Sequence, residues 1–337
     1  MSEIQKQFQA FSKLTAIFIG GLARSGTSLM LRLLDGHPKL LVHPIENCIL
    51  RDFFEAPPTH PVRKGIEEGM GSRDAQKIFD HLKTNPRAWR LTRVRTEGEG
   101  EIVEEHSSFN VEGFEKCFLE TLSGVNSAWD IHHLLQVWLF SYFWTLKKRD
   151  MSLYSGWVIK CPSAAKYYKT YADYFPERRI IHLMRDPRAV YLSAREKKTS
   201  AQNQEVVTVL LRKRPLLGVP LLMRFYKDEI DRAQAFAKAQ RVKFTLIKYE
   251  DLVNFPQDQM EKISHFLNIP YDPILAMPTF GGRPWVANSS FEVPRDQSGK
   301  IFEDSSKRWE KGISVWERLL FGVYFSKTIK EWNYPRY

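Results

Sequence analysis

Short continuous apolar runs alternate along this chain with longer stretches of helical periodicity. The runs at 15–20, 156–160, 179–184 and 243–248 have the length and β-branched content of strands buried on both faces. Helical spacing of apolar positions predicts helices over 26–35, 72–84, 111–122, 128–147, 163–174, 187–198, 202–213, 221–239 and 256–267. Pro38, Pro44, Pro57, Pro58 and Pro61 predict a loop after the first helix, and 86–110 reads as a polar, charge-rich insertion. Strands separated by helices predict an α/β fold of three α/β/α layers, with a central parallel sheet, right-handed crossovers and helical insertions. The most apolar helix, Trp129–Leu146, carries Asp130, His132, His133 and Gln136. It is too short and too polar to span a bilayer and reads as a core helix or the wall of an acceptor pocket.

The first strand runs into Gly20-Gly21, a polar turn, and then Gly26-Thr27-Ser28 at the start of a helix. A glycine turn feeding a helix N-terminus points backbone N–H groups and the positive end of the helix dipole at an anion. The spacing Gly21-x4-Gly26-x-Ser28 makes a P-loop-like pattern, with Thr27 where an ATP-binding loop has lysine and the cation moved to Arg24. That arrangement suits a shorter anionic group at the 5′ end of a nucleotide. A second anion site is readable at Arg185-Asp186-Pro187. Arg185 ends an apolar run and Pro187 opens a helix that carries Ser193. A guanidinium at the carboxyl end of a strand forks onto phosphate oxygens, and the serine adds one donor.

These two motifs, in this order, resemble those of sulfotransferases that use 3′-phosphoadenosine 5′-phosphosulfate. Arg24-Ser25-Gly26-Thr27-Ser28-Leu29-Met30 with Leu34-Asp35-Gly36-His37-Pro38 is most similar to the tyrosylprotein and carbohydrate branches. The resemblance implies that loop 20–28 holds the 5′-phosphosulfate, with Arg24, Ser25, Gly26, Thr27 and Ser28 as its contacts. It implies that motif 185–193 holds the 3′-phosphate through Arg185 and Ser193. Further similarity lies in Trp157–Pro162, in Phe244–Leu252 with Tyr249 near the adenine, and in Phe255–Pro270. It continues in Asn288–Phe291 and Ser306–Trp309, where Ser289, Ser290 and Lys307 correspond to contacts of the 5′-phosphate and sulfonate. Lys160 is a weaker candidate for the same cluster. The markers span nearly the whole chain, which reads as one domain, 1–337. Segments 50–150 and 200–235 would form its acceptor side.

Sulfuryl transfer needs an in-line hydroxyl, fixed donors for the developing charge and a base for the hydroxyl proton. Arg24 and Lys307 would meet the leaving phosphate and the sulfonate, and no metal is required. The resemblance implies a glutamate just beyond His37-Pro38 as the base, for which Glu46 is nearest in spacing, with His43 as its rival because cytosolic members use a histidine. The acceptor would be a hydroxyl of a carbohydrate, a small molecule or a tyrosine. Two other readings stay open, an ATP-dependent kinase of the P-loop type and a non-catalytic binder of nucleotides or polyanions. The absent lysine and the lack of a strand ending in a metal-binding aspartate weigh against the kinase.

The chain has 337 residues, of which 43% are hydrophobic and 13% aromatic, enough for a substantial core. Phe53, Phe54, Trp89, Trp138, Phe140 and Trp144 read first as core packing and second as an acceptor pocket. The net charge of +11 suits capture of an anionic cosubstrate. It is dispersed, without a zinc-finger spacing, an RNA-binding signature or a long basic run, so nucleic acid is not an expected partner. Cys48, Cys117 and Cys161 make neither a disulfide framework nor a metal-ligand spacing, which fits a reducing compartment. Golgi members of the family carry an N-terminal anchor. The polar start MSEIQKQFQAFSKL lacks one and lacks a signal peptide, so a cytoplasmic location is expected. Pro215-Leu216-Leu217-Gly218 suggests the start of a lid. The sequence says nothing of oligomeric state.

Overall fold

Parallel strands need crossover segments between them, and this chain supplies helices for that purpose. The computed structural model describes residues 1–60, 63–65, 74–84, 109–124, 130–196, 215–285, 299–301 and 308–335. In chain order its elements are α1 (Glu3–Ser12), β1 (Thr15–Gly21), α2 (Thr27–Leu34), β2 (Leu40–Glu46), α3 (Ile49–Glu55), α4 (Ala75–Thr84), α5 (Val111–Ser123) and α6 (Ile131–Lys147). Then come β3 (Gly156–Lys160), α7 (Tyr168–Tyr174), β4 (Arg178–Met184), α8 (Pro187–Arg195), α9 (Pro215–Ala239) and β5 (Phe244–Lys248). The chain finishes with α10 (Tyr249–Asn254), α11 (Pro256–Leu267), a small antiparallel hairpin of β6 (Thr279–Phe280) and β7 (Arg283–Pro284), α12 (Trp309–Gly312) and α13 (Val315–Glu331).

Strands β1 to β5 form one sheet in the order β2-β3-β1-β4-β5, every pair parallel. Alternate residues on each strand face opposite helical layers, as the pleat dictates. Ala16, Phe18, Trp157, Ile159 and Ile180 pack with Phe11, Phe79, Phe114, Trp138 and Tyr168 from α1 and α4–α7. Ile17, Ile19, Val158, Ile181 and Leu183 pack with Met30, Leu34, Met260 and Ile263 from α2 and α11. A third cluster joins Tyr191 of α8 to Met223 of α9 and to Phe321 and Phe325 of α13. This is the α/β architecture that the strand–helix alternation predicts. Among the described residues no helix is long and apolar enough to cross a membrane.

Several expectations need correction. The proline-rich stretch is not all loop: it holds β2 and α3. Pro44 sits within β2, which lies at the sheet edge, where one side of a strand needs no ladder hydrogen bonds. The register against β3 shifts between Val42 and Glu46, the interval that contains Pro44. The helix expected over 163–174 starts later. Ser163 has φ +56° and a 3-10 turn, Ala165–Tyr167, precedes α7. The segment 215–218 opens α9, which begins before the expected 221 and also takes Pro220 into its helix. The helices of the last segment, α12 and α13, have no counterpart in the sequence reading. The helix expected at 202–213, the insertion at 86–108 and Trp89 lie outside the described residues. Trp138 and Phe140 are fully buried core residues.

Beneath β1 lies a buried polar pair. The Tyr168 hydroxyl and His182 Nδ1 share a hydrogen bond of 2.6 Å. A Cβ on Gly20 would lie 1.8 Å from that hydroxyl, so only glycine fits there. Complete burial pushes the His182 pKa down to about 3 from 6.5. The unfolded chain therefore binds the extra proton between those values. Its stabilising share is full above pH 6.5 and is lost as pH falls towards 3. Burial raises Glu229 to about 7, which titrates with the opposite sign, so only a comparison with a variant isolates the histidine. Urea unfolding at pH 7 and pH 5 should show wild type losing about 2 kcal/mol more than His182→Gln. Equal losses would mean that His182 is not held neutral.

Candidate functional site

Because all five strands run the same way, their carboxyl ends meet along one edge of the sheet, where open α/β sheets bind ligands. Each end delivers one element of the site. β2 ends in Glu46 and β3 in Lys160, which face each other in register. β1 ends in Gly20-Gly21 and runs into the turn to α2. β4 is followed by Arg185, and β5 by Tyr249.

The turn 22–26 is wound tightly. Gly21, Arg24 and Gly26 have φ of +133°, +75° and +97°. A left-handed arginine is a strained conformation that surrounding contacts must enforce. Here Arg24 Nε donates to Ser193 Oγ at 3.0 Å, and Arg185 Nη1 donates to the Arg24 carbonyl at 2.8 Å. The Arg185 guanidinium lies over the Tyr249 ring, 4.2 Å from its centroid. The same ring closes on Gly26, where an added Cβ would come within 2.3 Å of it. Thus Arg24, Gly26, Arg185, Ser193 and Tyr249, distant in sequence, form one cluster. Burial lowers the Arg24 pKa, and the neighbouring Arg185 charge lowers it further. Two cations held this way favour an anion between them.

On the other flank Lys160 Nζ donates to Ser28 Oγ at 3.0 Å and lies 3.7 Å from Glu46 Oε2. Burial lowers the Lys160 pKa, and Glu46 opposes that shift. Lys160 thus supplies from the adjacent strand the cation that Thr27 does not. Ser25 and Thr27 are buried and Ser28 is exposed at the mouth of the turn. His43 is elsewhere: it is 2% exposed, its ring rests on Tyr142 and its Nδ1 lies 3.0 Å from the Ile45 carbonyl.

Ser289, Ser290 and Lys307 lie outside the described residues. The anchor of the last segment is described. Trp309 is buried against Arg188, whose guanidinium carbon is 3.7 Å from its ring centroid. Arg188 is itself paired with Asp186 at 2.6 Å in the turn after Arg185. Arg195 on α8 reaches Glu317 at 3.0 Å. These contacts tie the chain that follows Lys307 to the Arg185 turn. Among the described residues, three potential metal ligands gather within 4.8 Å, namely Asp130, His132 and His133. They stand at the start of α6, where Asp130 caps the helix and pairs with His133 at 2.9 Å. They belong to neither phosphate motif.

Sequence reasoning missed Arg32. It sits on α2 one turn beyond Ser28, 9% exposed, over the Phe280 ring at 4.1 Å and near Trp285 at 5.5 Å. A lone arginine between Leu31 and Leu33-Leu34 was the available signal.

A profile of the sulfotransferase family matches residues 16–273. Carbohydrate sulfotransferase 4 of Mus musculus is 26% identical over 117 residues, an alignment covering 32% of this chain and 28% of that protein. The chain therefore spans under a third of this curated relative. Among solved structures, the sulfotransferase domain of the Synechococcus PCC 7002 olefin synthase aligns with a TM-score of 0.52 at 18% identity, covering 93% of this chain and 95% of that one. The sulfotransferase domain from the curacin biosynthetic pathway aligns with a TM-score of 0.50 at 18% identity, covering 93% and 98%. These likenesses extend to the fold.

The fit of Tyr249 on Gly26 is testable without any ligand. Gly26→Ala adds a Cβ both to a left-handed position and into the ring. It should lower unfolding stability by about 2–4 kcal/mol in urea. Combining it with Tyr249→Ala should cost less than the sum of the two single changes. Strict additivity would show that the two residues are not in contact.

Proposed function

The chain belongs to the sulfotransferase family, and on that premise we propose that it moves a sulfuryl group from 3′-phosphoadenosine 5′-phosphosulfate to a hydroxyl acceptor. The observation that carries the reading is the meeting of Arg24, Arg185 and Ser193 around the start of α2. The donors suit this nucleotide. Gly21 and Gly26 leave no room for a Cβ, and the N–H groups of Gly26, Thr27 and Ser28 open the helix. Arg24 and these amides would take the 5′-phosphate, and Arg185 and Ser193 the 3′-phosphate. Tyr249 would lie against the base. Lys307, Ser289 and Ser290, which lie outside the described residues, keep the roles that family resemblance implies.

The bound nucleotide supplies the sulfuryl group, which passes to the acceptor oxygen as its bond to the 5′-phosphate breaks. Glu46 would accept the acceptor's proton at a carboxylate oxygen. Its position beside Lys160, itself bonded to Ser28, supports that role. His43 is enclosed by Tyr142 and its own strand, which favours Glu46 over it. Lys160 and Arg24 would meet the charge that grows on the sulfonate and leaving phosphate. No residue in this scheme requires a metal. The acceptor is a hydroxyl compound.

Calorimetry with 3′-phosphoadenosine 5′-phosphate, ADP and ATP, in EDTA, tests the nucleotide assignment. The 3′-phosphorylated nucleotide should bind at least tenfold more tightly than ADP, and Arg185→Ala should remove about 10- to 100-fold of that affinity. Preference for ATP, restored by magnesium, would overturn it in favour of a kinase. With an acceptor in hand, Glu46→Gln should reduce kcat by about 10²–10⁴ and leave nucleotide affinity unchanged. An unchanged kcat would remove Glu46 from the base role.

A further inference from the structure

Arg32 is a buried cation that neither phosphate motif uses. Phe280 occupies one face of its guanidinium at 4.1 Å, and Trp285 lies at 5.5 Å. Contacts to ring faces leave the in-plane N–H groups open. Among the described residues, Arg32 Nε and Nη1 have no hydrogen-bond partner although they are buried. Asp35, one turn on, does not close the gap. Its Oδ2 accepts from Thr279 Oγ1 and from the Gly282 N–H, each at 3.0 Å. Burial pushes the Arg32 pKa down to about 10, and its charge in turn opposes that of Lys160. A desolvated guanidinium with open N–H groups is costly to the free protein unless a ligand meets it.

We propose that Arg32 receives an oxyanion carried by the acceptor, a carboxylate or a sulfate ester near the hydroxyl that is modified. The N–H fork of arginine matches such groups in two-point contact. The acceptor, rather than the nucleotide, is the source because of position. Arg32 follows Ser28 by one full turn of α2, away from the helix N-terminus, and neighbours at that spacing stand about 5–6 Å apart. Its aromatic covers come from the β6–β7 hairpin and the residue after it, outside both phosphate motifs. The inference rests on the sulfotransferase reading, which assigns the turn 22–26 to the nucleotide and makes the second ligand a hydroxyl acceptor.

The first probe is inorganic sulfate, titrated calorimetrically into wild type, Arg32→Gln and Arg32→Lys, each with and without saturating 3′-phosphoadenosine 5′-phosphate. Nucleotide-loaded wild type should bind sulfate. Arg32→Gln should weaken that binding at least tenfold, Arg32→Lys should be intermediate, and all three should bind the nucleotide equally. Equal sulfate affinity in wild type and Arg32→Gln would overturn the proposal. So would a parallel loss of nucleotide affinity, which would place Arg32 in the nucleotide site. Failure of wild type to bind the nucleotide would count against the sulfotransferase reading, whereas Arg32-dependent binding of sulfate to the nucleotide-free protein would still support the anion site. Melting temperature separates a structural role. A mere clamp for the hairpin would lower the melting temperature of Arg32→Gln without changing sulfate binding, and the proposal expects the reverse. In sulfation assays on matched hydroxy acids and their amides, wild type should favour the acid at least tenfold in kcat/KM, and Arg32→Gln should abolish that preference.

Discussion

The site depends on strand direction. Five parallel strands bring Glu46, Lys160, the Gly20-Gly21 turn, Arg185 and Tyr249 to the same edge of one sheet. Reversing any one strand would carry its residue to the far edge, roughly 17 Å away for a strand of ordinary length. Parallel direction in turn requires crossover helices, and those helices bury the two faces of the sheet. The layered core and the row of polar strand ends are therefore two results of one topology.

At that edge the protein holds like charges together. Arg185 donates to the Arg24 carbonyl, and Arg24 in turn to Ser193. In the turn after Arg185, the buried Arg188 is paired with Asp186. Close aromatic contacts on Gly20 and Gly26 hold the turn in place while it bears that repulsion. Arg188 and Trp309 hold the final segment against it. Stability drawn from the apolar layers offsets strain gathered at the strand ends.

Much of this was legible before any coordinates. The central strands announce themselves because burial on both faces makes them largely apolar, and the turns that follow them because glycine and proline stand at fixed offsets. β2 was hidden by Pro44, which ordinarily breaks a strand and is tolerated here only at the edge. Pro215 and Gly218 suggested the start of a lid, yet Pro215 stands at the first position of a helix, which suits its fixed φ, and that helix takes in Pro220 as well. The partnership of Tyr168 with His182, and the aromatic cover on Arg32, depend on residues brought together only by folding. In a one-dimensional reading Glu46 is favoured as the base, with His43 as its rival. Three dimensions separate them, since a shift in register turns one towards Lys160 and leaves the other beside Tyr142.

The irregular edge strand has an evolutionary consequence. The turn at Gly26 and Arg185 follow β1 and β4, each held by a neighbour on both sides in the sheet, whereas β2 has a partner on one side only. A mutation that shifts β2 moves Glu46 without disturbing the turn at Gly26. Drift at this margin would let descendants of such a chain vary the Glu46 side of the cleft while inheriting the glycine turn intact. Diversification would then concentrate on one rim of the molecule, with little change at its centre.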